Sequence, residues 1–197
     1  MAPSISTPNL LRDPGYLFRA PIGTSLPTNT VAGSVFTDDW AAAWVPIGAT
    51  EEGSTVAYEM SSEPVRVAEL FDPVAYSVTE TTGSIAFAMA DWTLQKLKFA
   101  MNGGTMTLVS GTGATALTSL EPPDPSEVLR CMIGWQSLDA TVRFVGRQCI
   151  NASAIESAFQ RAPAKSLIPV QFSFERPAAA KSFAFFSAGT TRSGTVF

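Results

Sequence analysis

The stretch Ile85-Ala86-Phe87-Ala88-Met89-Ala90-Asp91-Trp92-Thr93-Leu94-Gln95-Lys96-Leu97-Lys98-Phe99-Ala100-Met101-Asn102-Gly103-Gly104 changes its hydrophobic period midway, and that change decides the fold. Ile85, Phe87 and Met89 recur at every second position, the mark of a strand with one buried face. Beyond Asp91 the recurrence becomes helical, through Leu94, Leu97 and Met101. Asp91 can cap the start, Lys96 and Lys98 suit the C-terminal half, and Asn102-Gly103 can adopt a left-handed stop. The spacing predicts one helix over about 91–102.

Working outward, the remaining apolar positions keep a period of two. Val56, Tyr58 and Met60 alternate after the acidic, flexible stretch from Gly48 to Ser54, and Val65 and Val67 resume beyond Pro64. Residues 47 to 70 therefore predict a long hairpin with a mobile tip. Val74, Tyr76 and Val78 precede the Ile85 set, with Thr81-Thr82-Gly83 predicted as the turn of a second hairpin. A strand from Thr105 to Val109 leads to a Gly-rich stretch and the stiff Glu121-Pro122-Pro123-Asp124-Pro125 corner. Leu129, Cys131, Ile133 and Trp135 share one face, and Val142 and Phe144 share a face after the Gln136 to Ala140 turn, which makes a third hairpin. Val170, Phe172 and Phe174 mark another strand, and Phe183 with Phe185 a last one. The pattern predicts a mainly β chain with a single helix. Five prolines within residues 1–37 predict an extended N-terminal arm, and the stretch from Gly189 to Gly194 a C-terminal tail.

Charged residues make up only 15% of the 197-residue chain, against a usual share of about 25%, which suits a subunit that buries surface against partners. Seventeen acids against thirteen bases leave a net charge of −4, so a nucleic-acid-binding footprint is disfavoured. The chain has no histidine, which removes Ser-His-Asp and Cys-His catalysis and His-ligated zinc together. No signal-peptide pattern and no run of about 18 apolar residues occurs, so the expected protein is soluble, with no membrane partner.

The remaining chemistry reads blandly. Gly111-Thr112-Gly113 lacks a following helix to cradle phosphate. Asp38-Asp39 and Glu51-Glu52 are adjacent loop carboxylates, which seldom hold a fixed reacting geometry. Asn151-Ala152-Ser153 matches a glycosylation pattern by chance. Arg143, Arg147 and Arg130 fit intersubunit ion pairs better than an anion site. In the simplest register Cys131 lies opposite residue 145 rather than Cys149, which predicts two packed thiols and no disulfide. No enzyme and no cofactor is expected.

The order of elements resembles a known family. Gly15-Tyr16-Leu17-Phe18-Arg19-Ala20-Pro21-Ile22-Gly23-Thr24-Ser25-Leu26-Pro27, then Trp44-Val45-Pro46-Ile47-Gly48-Ala49-Thr50-Glu51-Glu52-Gly53, then the strand-helix run to Gly104 are together similar to the major tail tube proteins of long-tailed, non-contractile phages (siphoviruses), especially those infecting actinobacteria. Each motif is short; their order along nearly the whole chain carries the likeness. The Val45-Pro46 approach to Gly48 departs from the family pattern.

The resemblance implies a β-sandwich or barrel-like domain over 38–197 with one flanking helix, serving as a virion tail subunit assembled in the host cytoplasm. Six copies would form a homohexameric ring, and rings would stack into a conduit for DNA ejection, through which DNA passes without specific binding. Tape-measure, distal tail and tail-terminator proteins are the implied partners. The hairpin loop of about 47–66 would reach a neighbouring ring, with Glu51, Glu52, Tyr58 and Arg66 as contact candidates, and deletion of 48–62 would leave a folded monomer that cannot polymerise. The N-terminal arm and C-terminal tail would be further connectors. Glu59, Glu63, Glu80 and Glu175 are candidates for an acidic lumen surface, which would repel phosphates, with exterior salt-bridge partners as the alternative role. Rival readings are a head-tail joining or tail-terminator protein that stops at one ring, and a β-sandwich binding module with Trp40, Trp44 and Tyr58 as its platform.

Overall fold

The computed structural model describes residues 14–68, 71–156 and 165–189. The expected arm residues 1–13 and the tail beyond Gly189 lie outside them. Twelve strands and one helix follow in order: β1 (Tyr16–Pro21), β2 (Val31–Ala32), β3 (Val35–Phe36), β4 (Val45–Pro46), β5 (Thr50–Val65), β6 (Ala75–Met89), α1 (Leu94–Ala100), β7 (Thr105–Ser110), β8 (Leu117–Glu121), β9 (Cys131–Gln136), β10 (Val142–Asn151), β11 (Ile168–Phe174) and β12 (Phe183–Ser187).

Eight strands make one antiparallel sheet in the order β4-β1-β9-β10-β11-β6-β5, and β12 joins it by pairing with β10. β10 branches the sheet. Residues 142–146 pair with β12 on the side where residues 149–151 pair with β11, while β9 runs along the other side. Leu17, Ile85, Phe87, Ile133, Phe144 and Phe172, drawn from strands along the sheet, all meet in one buried core, so the sheet wraps around it. The helix closes that core, with Phe99 stacked on Phe172 at 4.9 Å between ring centroids. A second core of Ala20, Trp44, Met132 and Val145 lies on the opposite face of β1, β9 and β10. The architecture is therefore mainly β and sandwich-like, with a single helix among the described residues.

Within the span expected as an arm, β1 is a structural strand held between β4 and β9. Leu17 and Ala20 are buried there, so these residues belong to the core they border. Trp40 and Trp44 flank the turn in which the Trp44 amide donates to Ala41, and β4 follows. Gly134 makes room for them, because a Cβ at that position would lie 2.5 Å from the Trp40 ring. The helix is shorter than 91–102, since Thr93 rather than Asp91 caps it by accepting the Lys96 amide hydrogen bond.

The largest revision concerns the hairpins. Residues 47 to 70 are not a hairpin of their own; β5 and β6 pair along their whole length as a single one. Thr81-Thr82-Gly83 is mid-strand, with Gly83 opposite Tyr58. Gly83 stands there because the Phe174 ring covers it, and a Cβ would meet that ring at 2.8 Å. A glycine placed for a close approach reads in sequence like a turn glycine.

Candidate assembly interface

The β5–β6 hairpin starts inside the protein and ends outside it. At its base Val56 pairs with the buried Ile85, which defines the face turned to the core. Directly opposed residues of an antiparallel pair share a face, and successive residues alternate. The core face therefore continues outward through Tyr58 and Gly83, then Met60 and Thr81. A bulge leaves Thr79 unpaired, and the same face resumes with Ser62 and Val78, then Pro64 and Tyr76. Tyr58, Met60, Tyr76 and Val78 are all exposed.

The other face carries Glu59 opposite Thr82, Ser61 opposite Glu80, and Glu63 opposite Ser77. The free part of the hairpin is thus two-faced, apolar on one side and acidic on the other. The hairpin and its connection, residues 50–89, hold seven of the seventeen acids and one of the thirteen bases, a net of −6. Ten acids and twelve bases remain, a net of +2, so the chain's negative charge is concentrated in the hairpin.

The expected contact residues are spread along this element. Glu51 lies at the base and pairs with Lys165 at 2.9 Å. Glu52 follows with a left-handed backbone, φ +55°, at the irregularity between Glu51 and Ser54. Tyr58 meets Phe183 edge to face at 5.7 Å. Arg66 stands near the tip, its guanidinium 3.5 Å from the Phe71 carbonyl it donates to. The expected lumen set divides: Glu59, Glu63 and Glu80 share the acidic face, whereas Glu175 is elsewhere. Its carboxylate accepts from Arg130 at 2.5 Å and from Gln148 at 2.6 Å. The Arg130 hydrogen bond holds the Glu175 carboxyl below its ordinary value, against the upward push of burial.

The arginines expected at subunit interfaces are used within the chain. Arg143 is 1% exposed and donates to Asp38 Oδ1 at 2.9 Å, to Gln136 at 2.8 Å and to Asn29 at 3.2 Å. Its guanidinium also lies over the Phe36 ring, 4.5 Å from the centroid. Arg147 donates to the Lys181 carbonyl and Arg130 to Glu175, so the three do not gather into one site. Cys149 lies directly opposite Cys131, because a bulge after Gly146 shifts the register; both are free thiols. Asn151 is buried, and its side-chain amide donates to the Ala100 carbonyl at 2.7 Å.

Sequence reading missed the apolar face of Met60, Tyr76 and Val78 because the false turn at Thr81-Thr82-Gly83 split the hairpin in two. The alternation of Tyr76 and Val78 with polar neighbours was the available signal. The aromatic platform of a binding module is not assembled: Trp44 is buried in the second core and Trp40 stacks on Phe18, both apart from the hairpin that carries Tyr58. Among the described residues no group of three or more acidic or cysteine side chains could hold a metal ion.

The fold is a wrapped antiparallel sheet from which a charged, two-faced hairpin projects. The family model of phage tail tube proteins matches residues 12–193, and the chain belongs to that family. No curated protein matches it. The protein is thus a structural component of a virion tail, and the family implies assembly with other tail proteins.

Proposed function

We propose that six copies form a ring and that rings stack into the hollow tail tube of a siphovirus, the conduit by which the genome reaches the host. The observation that carries this reading is the two-faced hairpin in which the chain's negative charge is concentrated. Glu59, Glu63 and Glu80 on its acidic face line the lumen and repel DNA phosphates, so the cargo slides without being held. Glu175, already neutralised by Arg130, adds little to that surface.

The hairpin reaches the neighbouring ring. Residues 60–65 and 75–81 clear the body and span about 20 Å at the usual strand rise. Of the contact candidates, Tyr58 and Arg66 lie toward that end, while Glu51 and Glu52 sit at the base, where β5 is the outer strand of the sheet. An outer strand presents backbone donors and acceptors to another copy. Rings are assembled in the host cytoplasm, with tape-measure, distal tail and tail-terminator proteins setting the start, length and end.

Negative-stain electron microscopy of the purified chain, beside light scattering across a concentration series, tests the reading. Hollow tubes with a regular axial repeat are expected. Isolated rings that never elongate would instead assign a joining or terminator role, and a single copy at every concentration would count against tube formation.

A further inference from the structure

On the body of the protein a groove of about 500 Å³ is bordered by Ile22, Val45 and Leu129. All three are exposed, Leu129 at 62%. Arg19, Lys98 and Arg130 also line the groove, and its described lining holds no carboxylate. Arg130 is engaged by Glu175, and Arg19 lies over the Phe99 ring at 5.0 Å from its centroid. The groove is therefore apolar with a cationic rim.

The projecting hairpin has the complementary character. Its apolar face shows Met60, Val78 and Tyr76, the last 66% exposed, and its overall charge is negative. Two exposed apolar surfaces of opposite charge character on one chain fit each other better than either fits water. Because the two lie on different parts of the molecule, their union between copies is head-to-tail, a contact that propagates into a stack wherever its rotation does not close a ring.

We infer that the hairpin's apolar face, anchored by Tyr76 and Val78, docks in the Ile22, Val45 and Leu129 groove of a second copy of this chain. This rests on the stacked-ring reading and names the surface that would receive the hairpin. Arg19 and Lys98 attract the hairpin through its overall negative charge, while the Glu59, Glu63 and Glu80 face stays uncovered. An aromatic anchor entering an apolar pocket is the usual centre of such an interface.

Two full-length variants test it, Tyr76→Glu on the hairpin and Leu129→Glu in the groove, with Glu80→Gln on the opposite hairpin face as control. Both sites are exposed, so circular dichroism and Tm should match the parent. Each variant alone should need a concentration at least about tenfold higher to form tubes. The control should assemble as the parent does. Mixing the two variants should give a complex of bounded size by sedimentation, since the Leu129→Glu copy keeps its hairpin and the Tyr76→Glu copy keeps its groove. Val78→Glu with Ile22→Glu repeats the test at a second pair of exposed positions.

Parent-like tubes from both variants would overturn the docking and leave the tail-tube reading intact. Loss of tubes in each with no complex on mixing would also overturn it, since the two surfaces would then serve different interfaces. A parent chain that stays a single copy throughout would remove both the docking and the stacked-ring reading.

Discussion

Arg143 shows how an exposed-looking charge becomes structural. It is buried, bonded to Asp38, Asn29 and Gln136, and covered by Phe36 and Trp40. Removing one partner of a buried pair leaves the other uncompensated. Arg143→Met should therefore destabilise the fold by about 3 kcal/mol, on the order of 10 °C in Tm for a domain of this size, as read by thermal unfolding. Burial pushes the Asp38 carboxyl up, but the hydrogen bond and charge of Arg143, with the Asn29 amide, outweigh it and the net shift is down. A depressed carboxyl pKa contributes stability above its unfolded value and loses it as pH falls through the folded one. Denaturant melts between pH 7 and 3 should show a steeper acid loss for the parent than for Asp38→Asn.

The two cysteines make a second case at this scale. Burial pushes the Cys131 thiol up to about 12 and the Cys149 thiol higher still. Neither is nucleophilic near neutrality, because the thiolate is the reactive species. A thiol reagent at pH 8 should leave the native chain unlabelled and modify both residues after unfolding. Rapid labelling of Cys131 in the folded chain would contradict this packing.

At the scale of the element, the hairpin's inner and outer parts do different work. Its base contributes Val56, Ile85, Phe87 and Met89 to the core or its border, whereas residues 60–65 and 74–81 are exposed. Joining Glu59 to Thr82 by an Asn-Gly turn removes 60–81 and keeps the base. That variant should keep Tm within a few degrees and form no tubes in electron micrographs, whereas normal tubes would show the outer hairpin to be dispensable. Removing 48–62 instead takes most of β5 away from Ile85, so loss of folding is expected rather than a competent monomer. The strands themselves were legible from their period of two, but the hairpin's extent was not. Gly83 lies beneath Phe174, a residue 91 positions away, and nothing local distinguishes that role from a turn.

For the whole molecule, charge is concentrated where cargo would pass. Replacing Glu59, Glu63 and Glu80 together by lysine should leave the exposed hairpin folded and convert a repelling surface into a binding one. Tubes of the parent should retain no DNA at 50 mM salt; those of the triple variant should, with affinity falling steeply as salt rises. Equal retention by both would remove these residues from the lumen.

The sequence by itself determined the strand alternation, the single helix, most core positions and the tail tube family, because hydrophobic period and motif order are local properties of the chain. Only the tertiary structure decided which strands pair, where the bulges fall, and which partners the arginines take. The bulge after Gly146 sets Cys131 against Cys149, and the one at Thr79 keeps Tyr76 and Val78 on the apolar face of the hairpin. A one-residue shift in register turns every later side chain to the other face. That shift is chosen by contacts between distant segments, which no local pattern records.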